Sequence, residues 1–341
     1  MRIICAISSR NNEILRMERC LRMLGHEVRL FYTDSYQIQC TYLQKKLNEL
    51  GWKNGEASYI ASKKAEFQTL LDGFSPELVF FVNFQRKFFM PQELAAIHRK
   101  SKIVFWFVDE VAGHPKVERC LHPYRVFVYE KDDVEYLRKN YAMAAVYCPV
   151  GFNDAYEGAA ESSDKPIDIA FIGSPFRRRL KLLEALAAEA ETHGWRMQIY
   201  GPFYETRYFW KKYVFGRKYP LLVNYIQNRS VLPEEAAQIY THSKICLNIH
   251  GNENRSLNPR TFEIMATGSF ELLDAHDDYA DLVHPGVDLD VFHDEQELVR
   301  QVTRYLENHA LREKIAKQGK QAVRGKHSML KGLEKILAAA E

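Results

Sequence analysis

Short apolar runs alternate with helical patterns along the first 150 residues of the chain. Residues 2–7 show a buried-strand pattern, residues 11–24 place apolar side chains at helical spacing, and residues 28–32 return to a strand pattern. Further strands are predicted at 78–82, 103–108, 125–129 and 144–148, and helices at 41–74 and 91–99. Strands that alternate with helices in this way predict a parallel sheet covered by helices.

The same alternation resumes after a polar run of small residues at 158–166. Strands are predicted at 167–172, 196–202, 245–250 and 270–273, and helices at 236–241, 295–306 and 311–337. A chain of 341 residues is long for one core and suits two domains. We therefore predict two α/β domains, residues 1–153 and 154–320, with the boundary region near 153–165, followed by a C-terminal helical segment at 321–341.

The most informative stretch runs from Asn258 to Gly268, directly after a buried-strand pattern. Asn258 and Pro259 predict the cap and first residue of a helix, and Gly268 predicts its end. The first turn of a helix leaves backbone N–H groups unpaired and carries the positive end of the dipole, so together with Arg260 it favours a phosphate. Glu263, an acceptor-only carboxylate one turn later, suits the hydroxyls of a ribose. A helix capped for stability alone is the alternative.

This stretch reads Asn-x-Arg-x-Phe-Glu-x-x-Ala-x-Gly, and it is followed by Tyr-Ala-Asp-Leu-Val-His-Pro-Gly at 279–286, Arg-Glu-Lys-Ile-Ala-Lys-Gln-Gly at 312–319 and His327-Ser328. Together these segments resemble the C-terminal half of the CgeB-like (spore maturation protein type) glycosyltransferases, which are related to family 4 in the GT-B class. The resemblance implies a bacterial GT-B protein: two Rossmann-like, doubly wound parallel-sheet domains that face a cleft, with a C-terminal helix that packs back toward the N-terminal domain.

One departure from the family 4 pattern concerns its Glu-x7-Glu motif. The second Glu of that motif, which holds the donor ribose, corresponds to Glu263, but the first falls at Arg255. Glu263 and Glu271 also have this spacing, which we interpret as a coincidence because Glu271 lies in an apolar, strand-like run. The departure leaves a retaining or inverting reaction open.

The resemblance also implies where the site residues lie. The expected donor-binding residues are Gly173, Ser174, Arg179, Gly201, Asn258, Arg260, Thr261 and Glu263. Arg179 best fits the family's arginine by its spacing to the Leu-Leu-Glu that follows it. In the first domain, Trp-Phe-Val-Asp at 106–109 resembles the family's signature, so Asp109 is the predicted catalytic base, with His114 as a second catalytic candidate and Glu110 as a weaker one.

We therefore expect a glycosyltransferase, a hexosyltransferase, that uses a nucleotide-diphosphate sugar, with a UDP-sugar as the expected donor and no cofactor. The expected acceptor is a cell-surface glycan, a protein or a lipid-linked molecule. No Gly-x-Gly-x-x-Gly follows the first strand, which argues against an oxidoreductase. Two alternatives stay open: a catalytically silent GT-B-like protein that binds sugar nucleotides or serves surface assembly, and a GT-B-fold sugar-nucleotide epimerase.

The composition of the chain bears on its partners, its metal content and its location. A net charge of +3 is too small to indicate a nucleic-acid partner. The six cysteines lack a Cys-x-x-Cys pair and predict neither zinc nor disulfides. No signal-peptide pattern opens the sequence, and no apolar run approaches the ~20 residues of a membrane span, which predicts a cytoplasmic protein. Asp288-Leu-Asp290 has the Asp-x-Asp spacing of metal sites but a turn composition, so we expect no metal, with arginines stabilising the pyrophosphate.

Residues 203–219 interleave aromatic and basic side chains. Such a stretch could stack on bases, bind an anionic or lipid-linked acceptor, or rest on the inner face of a membrane. The alternative is an amphipathic insertion whose aromatic side chains pack on the domain. Contact with a membrane surface through residues 203–219 is therefore one of the functions that this stretch could have.

Overall fold

The computed structural model describes residues 1–7, 12–33, 55–84, 88–111, 118–251, 256–275 and 282–340, with only the backbone described at 12–15, 118–119 and 209. The chain divides into two compact units. The first comprises Met1–Val150 and Met329–Glu341, and the second comprises Gly151–Ser328. The sequence-based prediction put these divisions at 153/154 and 320/321.

Each unit contains one parallel sheet. In the first unit the strands are β1 (Arg2–Ile7), β2 (Glu27–Tyr32), β3 (Leu78–Val82), β4 (Lys102–Phe107), β5 (Arg125–Val128) and β6 (Ala145–Tyr147), in the order β2-β1-β3-β4-β5-β6. In the second they are β7 (Ile167–Ile172), β8 (Met197–Tyr200), β9 (Ser243–Asn248), β10 (Glu271–Asp274) and β11 (Asp290–Phe292), in the order β11-β10-β9-β7-β8. Every described neighbouring pair is parallel, as the alternation of elements predicted.

Helices connect the strands and cover the sheets. The described α-helices are α1 (Asn12–Met23), α2 (Glu56–Phe74), α3 (Pro91–His98), α4 (Glu118–Leu121), α5 (Lys131–Tyr141), α6 (Asp154–Glu157), α7 (Arg177–His193), α8 (Phe209–Lys218), α9 (Pro233–Thr241), α10 (Pro259–Ala266), α11 (Glu295–Glu307), α12 (His309–Val323) and α13 (Met329–Ala340). Within the described ranges, no helix is both long and apolar enough to cross a bilayer.

The central strands β1, β3 and β4 are apolar over almost their whole length because helices cover both faces of the sheet. Phe81 and Phe105 pack on one face with Phe67 of α2, whereas Phe80 and Trp106 pack on the other. Helix α13 belongs to that second face. The last helix of the chain therefore completes the core of the first unit.

The helical run predicted at 311–337 is interrupted. It contains two helices, α12 and α13, separated by residues 324–328, and the C-terminal helical segment predicted at 321–341 begins at Met329. The backbone at this break pairs elsewhere: the Phe152 N–H donates to the His327 carbonyl at 3.0 Å, and Gly325 has a φ of +69°. A Cβ at Gly151 would lie 2.2 Å from the same carbonyl oxygen, so this crossing requires glycine.

Candidate functional site

The order of strands in the second sheet reverses at β7, which lies between β8 and β9. In open α/β sheets ligands bind at the carboxyl ends of the strands that flank such a reversal. Gly173 follows β7, Gly201 follows β8, and His250 follows β9. The sequence therefore brings three of its polar or glycine-containing loops to the edge where this architecture places ligands.

Helix α10 begins at this edge in the way the sequence predicted. Asn258 caps it, since its Oδ1 accepts a hydrogen bond from the Arg260 N–H at 3.0 Å, and Pro259 is the first helical residue. The helix ends before Gly268, whose φ is +74°. One expectation needs correction: the N–H groups of Arg260 and Thr261 are not left for a ligand, because both are bonded to Asn258. The dipole and the Arg260 side chain remain to attract an anion.

A buried amide at the end of β9 holds the start of α10 in place. Asn248 and Asn258 exchange two side-chain hydrogen bonds, of 3.1 and 2.9 Å. The Asn248 Oδ1 also accepts from the Arg260 Nη1 at 3.4 Å, and its Nδ2 lies 2.8 Å from the Glu271 Oε1. Asn248 was not among the predicted residues, although a polar residue ending an apolar strand pattern was a signal for it.

Thr261 faces the interior. Its buried hydroxyl donates to the Glu271 Oε1 at 3.0 Å and lies 3.0 Å from the Asn248 Nδ2. Its backbone N–H donates to the Asn258 carbonyl. Both the N–H and the hydroxyl of Thr261 therefore form hydrogen bonds within the protein. In the structure, Thr261 therefore stabilises the start of α10.

Glu271 lies beneath α10, fully buried. Burial raises the pKa of its carboxyl to about 8, although hydrogen bonds from Asn248 and Thr261 and the charge of Arg260 oppose the shift. The carboxyl is therefore mainly protonated near neutral pH. Glu263, by contrast, is only partly buried on the helix above it. The two glutamates are thus in different environments, in agreement with our interpretation that their spacing is a coincidence.

Arg260 and Glu263 both act on the buried phenol of Tyr240 in α9. Burial raises the pKa of Tyr240, while the charge of Arg260 lowers it and that of Glu263 raises it further. Both charged side chains therefore lie near one hydroxyl. Within the described part of the chain, the Arg260 Nε is buried without an acceptor, and a buried charged donor without a partner is costly. An anion that accepts from this guanidinium would be stabilised.

Arg179 links the ends of β7 and β9. Its Nε donates to the Ile249 carbonyl at 2.6 Å, its Nη1 donates to the Ser174 carbonyl at 3.1 Å, and its guanidinium lies 4.9 Å from the centre of the Phe176 ring. Burial, together with repulsion from Arg260, lowers the pKa of Arg179 to about 10. These two guanidinium groups thus produce a positive potential that a phosphate would relieve.

A buried carboxylate organises the loop after β9. Asp274 accepts from both the backbone N–H and the Nδ1 of His250, at 2.9 and 2.7 Å, and pairs with Arg178. The His250 Nε2 accepts from the Asn258 N–H at 3.3 Å, so the ring carries its proton on Nδ1. His250 therefore positions the helix cap. Nothing in the sequence alone pairs His250 with Asp274, so this contact could not be predicted.

The glycines at this edge allow close packing of backbone. Gly201 has a φ of +145°, and a Cβ there would lie 2.0 Å from the Gly173 carbonyl oxygen. A Cβ at Gly173 would lie 2.7 Å from the Phe171 ring. Both glycines were predicted to contact the donor. The structure shows that close packing also requires glycine at these two positions. Ser174 is exposed, and its backbone carbonyl accepts a hydrogen bond from Arg179.

In the first unit, Asp109 is an exposed residue just after β4. The Asn83 Nδ2 donates to its Oδ2 at 2.6 Å, and the Asn83 Oδ1 accepts from the Val108 N–H at 2.9 Å. Asn83 follows β3 with a φ of 50°, so two neighbouring strand ends together orient the Asp109 carboxylate. Glu110 is exposed beside it, and His114 lies outside the described residues.

The Asp-x-Asp pair has structural partners. Asp288 accepts from the His284 N–H at 3.0 Å, and Asp290 accepts from the Tyr305 hydroxyl at 2.5 Å. Across the ranges that the structure describes, no group of three or more His, Cys, Asp and Glu side chains has an arrangement that could hold a metal ion.

Comparisons with known proteins agree with this architecture. Three solved structures resemble the chain over nearly its whole length. They are HepE of Anabaena in complex with UDP-glucose (14% identity, 99% of both chains, TM-score 0.70), a glycosyltransferase of Rickettsia africae (14%, 99% of this chain and 97% of the other, 0.69) and a sucrose-phosphate synthase of Thermosynechococcus elongatus (15%, 100% of both chains, 0.67). The fold is that of the GT-B glycosyltransferases.

The GT-B assignment is supported by a second comparison. Residues 177–338 match the family model described as glycosyl transferase-like, and this segment contains Arg179, the whole of α10 and Glu271. No curated protein sequence matches the chain. The GT-B fold expected from the sequence is thereby confirmed.

Proposed function

We propose that the chain is a glycosyltransferase that takes its sugar from a nucleotide-diphosphate sugar bound in the second unit. The observation that carries the proposal is the start of α10 at the strand reversal, where the charges of Arg260 and Arg179 repel each other at the strand ends that bind ligands in this kind of sheet. A diphosphate would neutralise both. HepE, which shares the fold, was solved with UDP-glucose, and this supports a UDP-hexose as the donor.

The chemistry follows from the leaving group. When the bond between the sugar and the nucleoside diphosphate breaks, negative charge accumulates on the pyrophosphate. Arg260 and the dipole of α10 would stabilise that charge in the transition state more than in the ground state, which is the condition for catalysis. Arg179 would hold the two strand ends together and add its charge. In this proposal no metal ion is required, so a chelator should leave turnover unchanged.

Glu263 would hold the ribose. As a carboxylate it accepts hydrogen bonds only, and two adjacent hydroxyls can donate to its two oxygens. Its place one turn into α10, near Arg260, suits a nucleotide that runs along the start of the helix. We expect Glu263→Gln to weaken binding of uridine nucleotides and to affect 2′-deoxyuridine nucleotides less.

On the acceptor side we propose Asp109 as the base that removes a proton from the acceptor hydroxyl. The Asn83 side chain orients this carboxylate, and a base must be held within reach of its proton to be effective. Asp109→Asn should reduce transfer while donor binding stays unchanged, and Asp132→Asn, at an exposed aspartate of α5, is the matched control. The CgeB-like subtype, a cytoplasmic location and an acceptor that is a surface glycan, protein or lipid-linked molecule remain predictions from the sequence.

The proposal is tested by donor turnover. Purified protein is incubated with UDP-hexoses and a panel of acceptors, and the release of UDP is measured for wild type, Arg260→Ala and the exposed control Arg300→Ala on α11. We expect Arg260→Ala to lose turnover by about 100-fold or more, as for other transition-state charge contacts, while the control retains it. Full activity of Arg260→Ala would contradict the proposal. Interconversion of sugar nucleotides without any acceptor would instead identify an epimerase.

A further inference from the structure

Helix α8 presents two different sides. On one side the Phe215 ring packs against Tyr204 and Tyr219, with ring centroids 5.5 and 5.1 Å apart. On the other side Trp210 and Tyr213 are exposed by 45% and 67%. The alternative in which the aromatic side chains of 203–219 pack on the domain therefore holds for only some of them.

The exposed aromatic residues share one face. Trp210, Tyr213 and Val214 are at positions i, i+3 and i+4 of the helix, so they project from the same side. Val214 is 53% exposed, and Tyr208, just before the helix, is 48% exposed and lies 6.0 Å from the Trp210 ring. An exposed apolar patch of this kind on a folded protein marks an interaction surface.

Basic side chains lie close to these residues in the sequence. Residues 203–219 contain five basic residues and one acidic residue, Glu205, whose carboxylate accepts from the Arg207 N–H at 3.0 Å in its own loop. The Lys211 ammonium lies 4.4 Å from the centre of the Trp210 ring, and Lys212 is exposed. The patch is thus far more positive than the chain as a whole, which carries a net charge of only +3.

We propose that this aromatic and basic face, residues 207–218, docks the protein on the surface of an anionic phospholipid bilayer. Lysine and arginine are attracted to anionic headgroups, and tryptophan and tyrosine prefer the boundary between headgroups and acyl chains. A surface helix that combines these two properties is suited to contact with the headgroup region of a membrane. Single-stranded nucleic acid would instead call for aromatic residues along a positively charged groove, whereas these project from one helix face.

This inference is independent of the proposed donor site, and it adds a location at which lipid-linked acceptors would be encountered. It predicts binding to vesicles that contain phosphatidylglycerol together with phosphatidylcholine, and weak binding to phosphatidylcholine alone. Because the attraction is partly electrostatic, binding should weaken as salt is added.

Two pairs of substitutions separate the contribution of the basic charges from that of the aromatic side chains. Lys211→Gln with Lys212→Gln removes two charges and should weaken binding to the anionic vesicles about thirtyfold. Trp210→Ala with Tyr213→Ala removes the interfacial anchors and should weaken binding by at least tenfold. The control pair Lys314→Gln with Lys317→Gln removes two exposed charges from α12 and should have little effect.

The experiment is vesicle co-sedimentation of the full chain and these variants, with donor turnover in the absence of vesicles as the check that each variant is folded. The proposal is overturned if wild type binds neither vesicle, or binds both equally. It is also overturned if the control pair loses as much affinity as the lysine pair on α8. Retention of full affinity by the aromatic pair, with equal binding to a soluble oligonucleotide, would identify a general polyanion site and reject a membrane surface.

Discussion

The buried carboxyl of Glu271 should make the stability of the second unit depend on pH. Its pKa is raised from 4.5 to about 8, chiefly by burial. At 1.36 kcal/mol for each pKa unit, the full shift corresponds to an upper limit of about 5 kcal/mol. Arg260 and Asp274 are the charged groups that act on it, with opposite effects.

The sign follows from proton release. Below about pH 4.5 the carboxyl is neutral in the folded and the unfolded chain, and its contribution to stability is fully present. As pH rises toward 8 the unfolded chain loses the proton while the folded chain keeps it, so unfolding becomes progressively easier. Above about pH 8 both states are ionised and the loss is complete.

Glu271→Gln removes this dependence, because the amide keeps the shape of the protonated acid and cannot ionise. Near pH 5 the variant and wild type should have similar free energies of unfolding, and near pH 9 the variant should be more stable by up to about 5 kcal/mol. Native-state hydrogen exchange of β9 and β10 peptides, corrected for intrinsic exchange rates, measures this locally. Glu307→Gln, an exposed change on α11, is the control.

Two results would refute this reasoning. If the difference between Glu271→Gln and wild type is the same at both pH values, the carboxyl does not titrate in this range. If wild type is the more stable protein at the higher pH, then Arg260 holds the carboxyl ionised in the folded state, and its attraction outweighs the cost of burial.

Further substitutions test the geometry around the site. Gly201→Ala should lower the melting temperature by several degrees and weaken UDP binding, because its Cβ would lie 2.0 Å from the Gly173 oxygen, and circular dichroism with a binding assay checks both. Asn258→Ala removes the cap of α10 and should cost about 1 kcal/mol, measured by urea unfolding, whereas Asn258→Asp keeps the cap acceptor, loses only the Nδ2 donor to Asn248 and should lose less stability. Equal losses for the two Asn258 variants would contradict a capping role.

Much of the fold could be predicted from the sequence because buried parallel strands are continuous apolar runs. Strands such as β1 and β7 were predicted at the residues where they lie. The C-terminal helices were harder: apolar periodicity continued through 324–328, and the helix stops there because Gly325 adopts a positive φ and the His327 carbonyl pairs with the distant Phe152. A helical pattern cannot reveal a backbone partner from another part of the chain.

The candidate site was predictable where its chemistry is local. The cap and first residue of α10 follow from neighbouring residues, and Asn258 and Pro259 are found in these places. The supporting contacts are not local. Asn248 meets Glu271 across neighbouring strands, and His250 meets Asp274 in the same way, so the pairing becomes visible only when the strand order is known. The expectation of unpaired N–H groups was a local error, because the cap predicted at Asn258 accepts from the N–H groups of Arg260 and Thr261.

Arg260 is proposed to bind the phosphates of a nucleotide. Isothermal titration of wild type and Arg260→Ala with UDP and with uridine measures this claim, since the two ligands differ only in the diphosphate. We predict that the substitution weakens UDP binding by about 10- to 100-fold, as expected for a charged hydrogen bond, and leaves uridine binding unchanged. Equal losses for the two ligands, or no loss for UDP, would contradict the account.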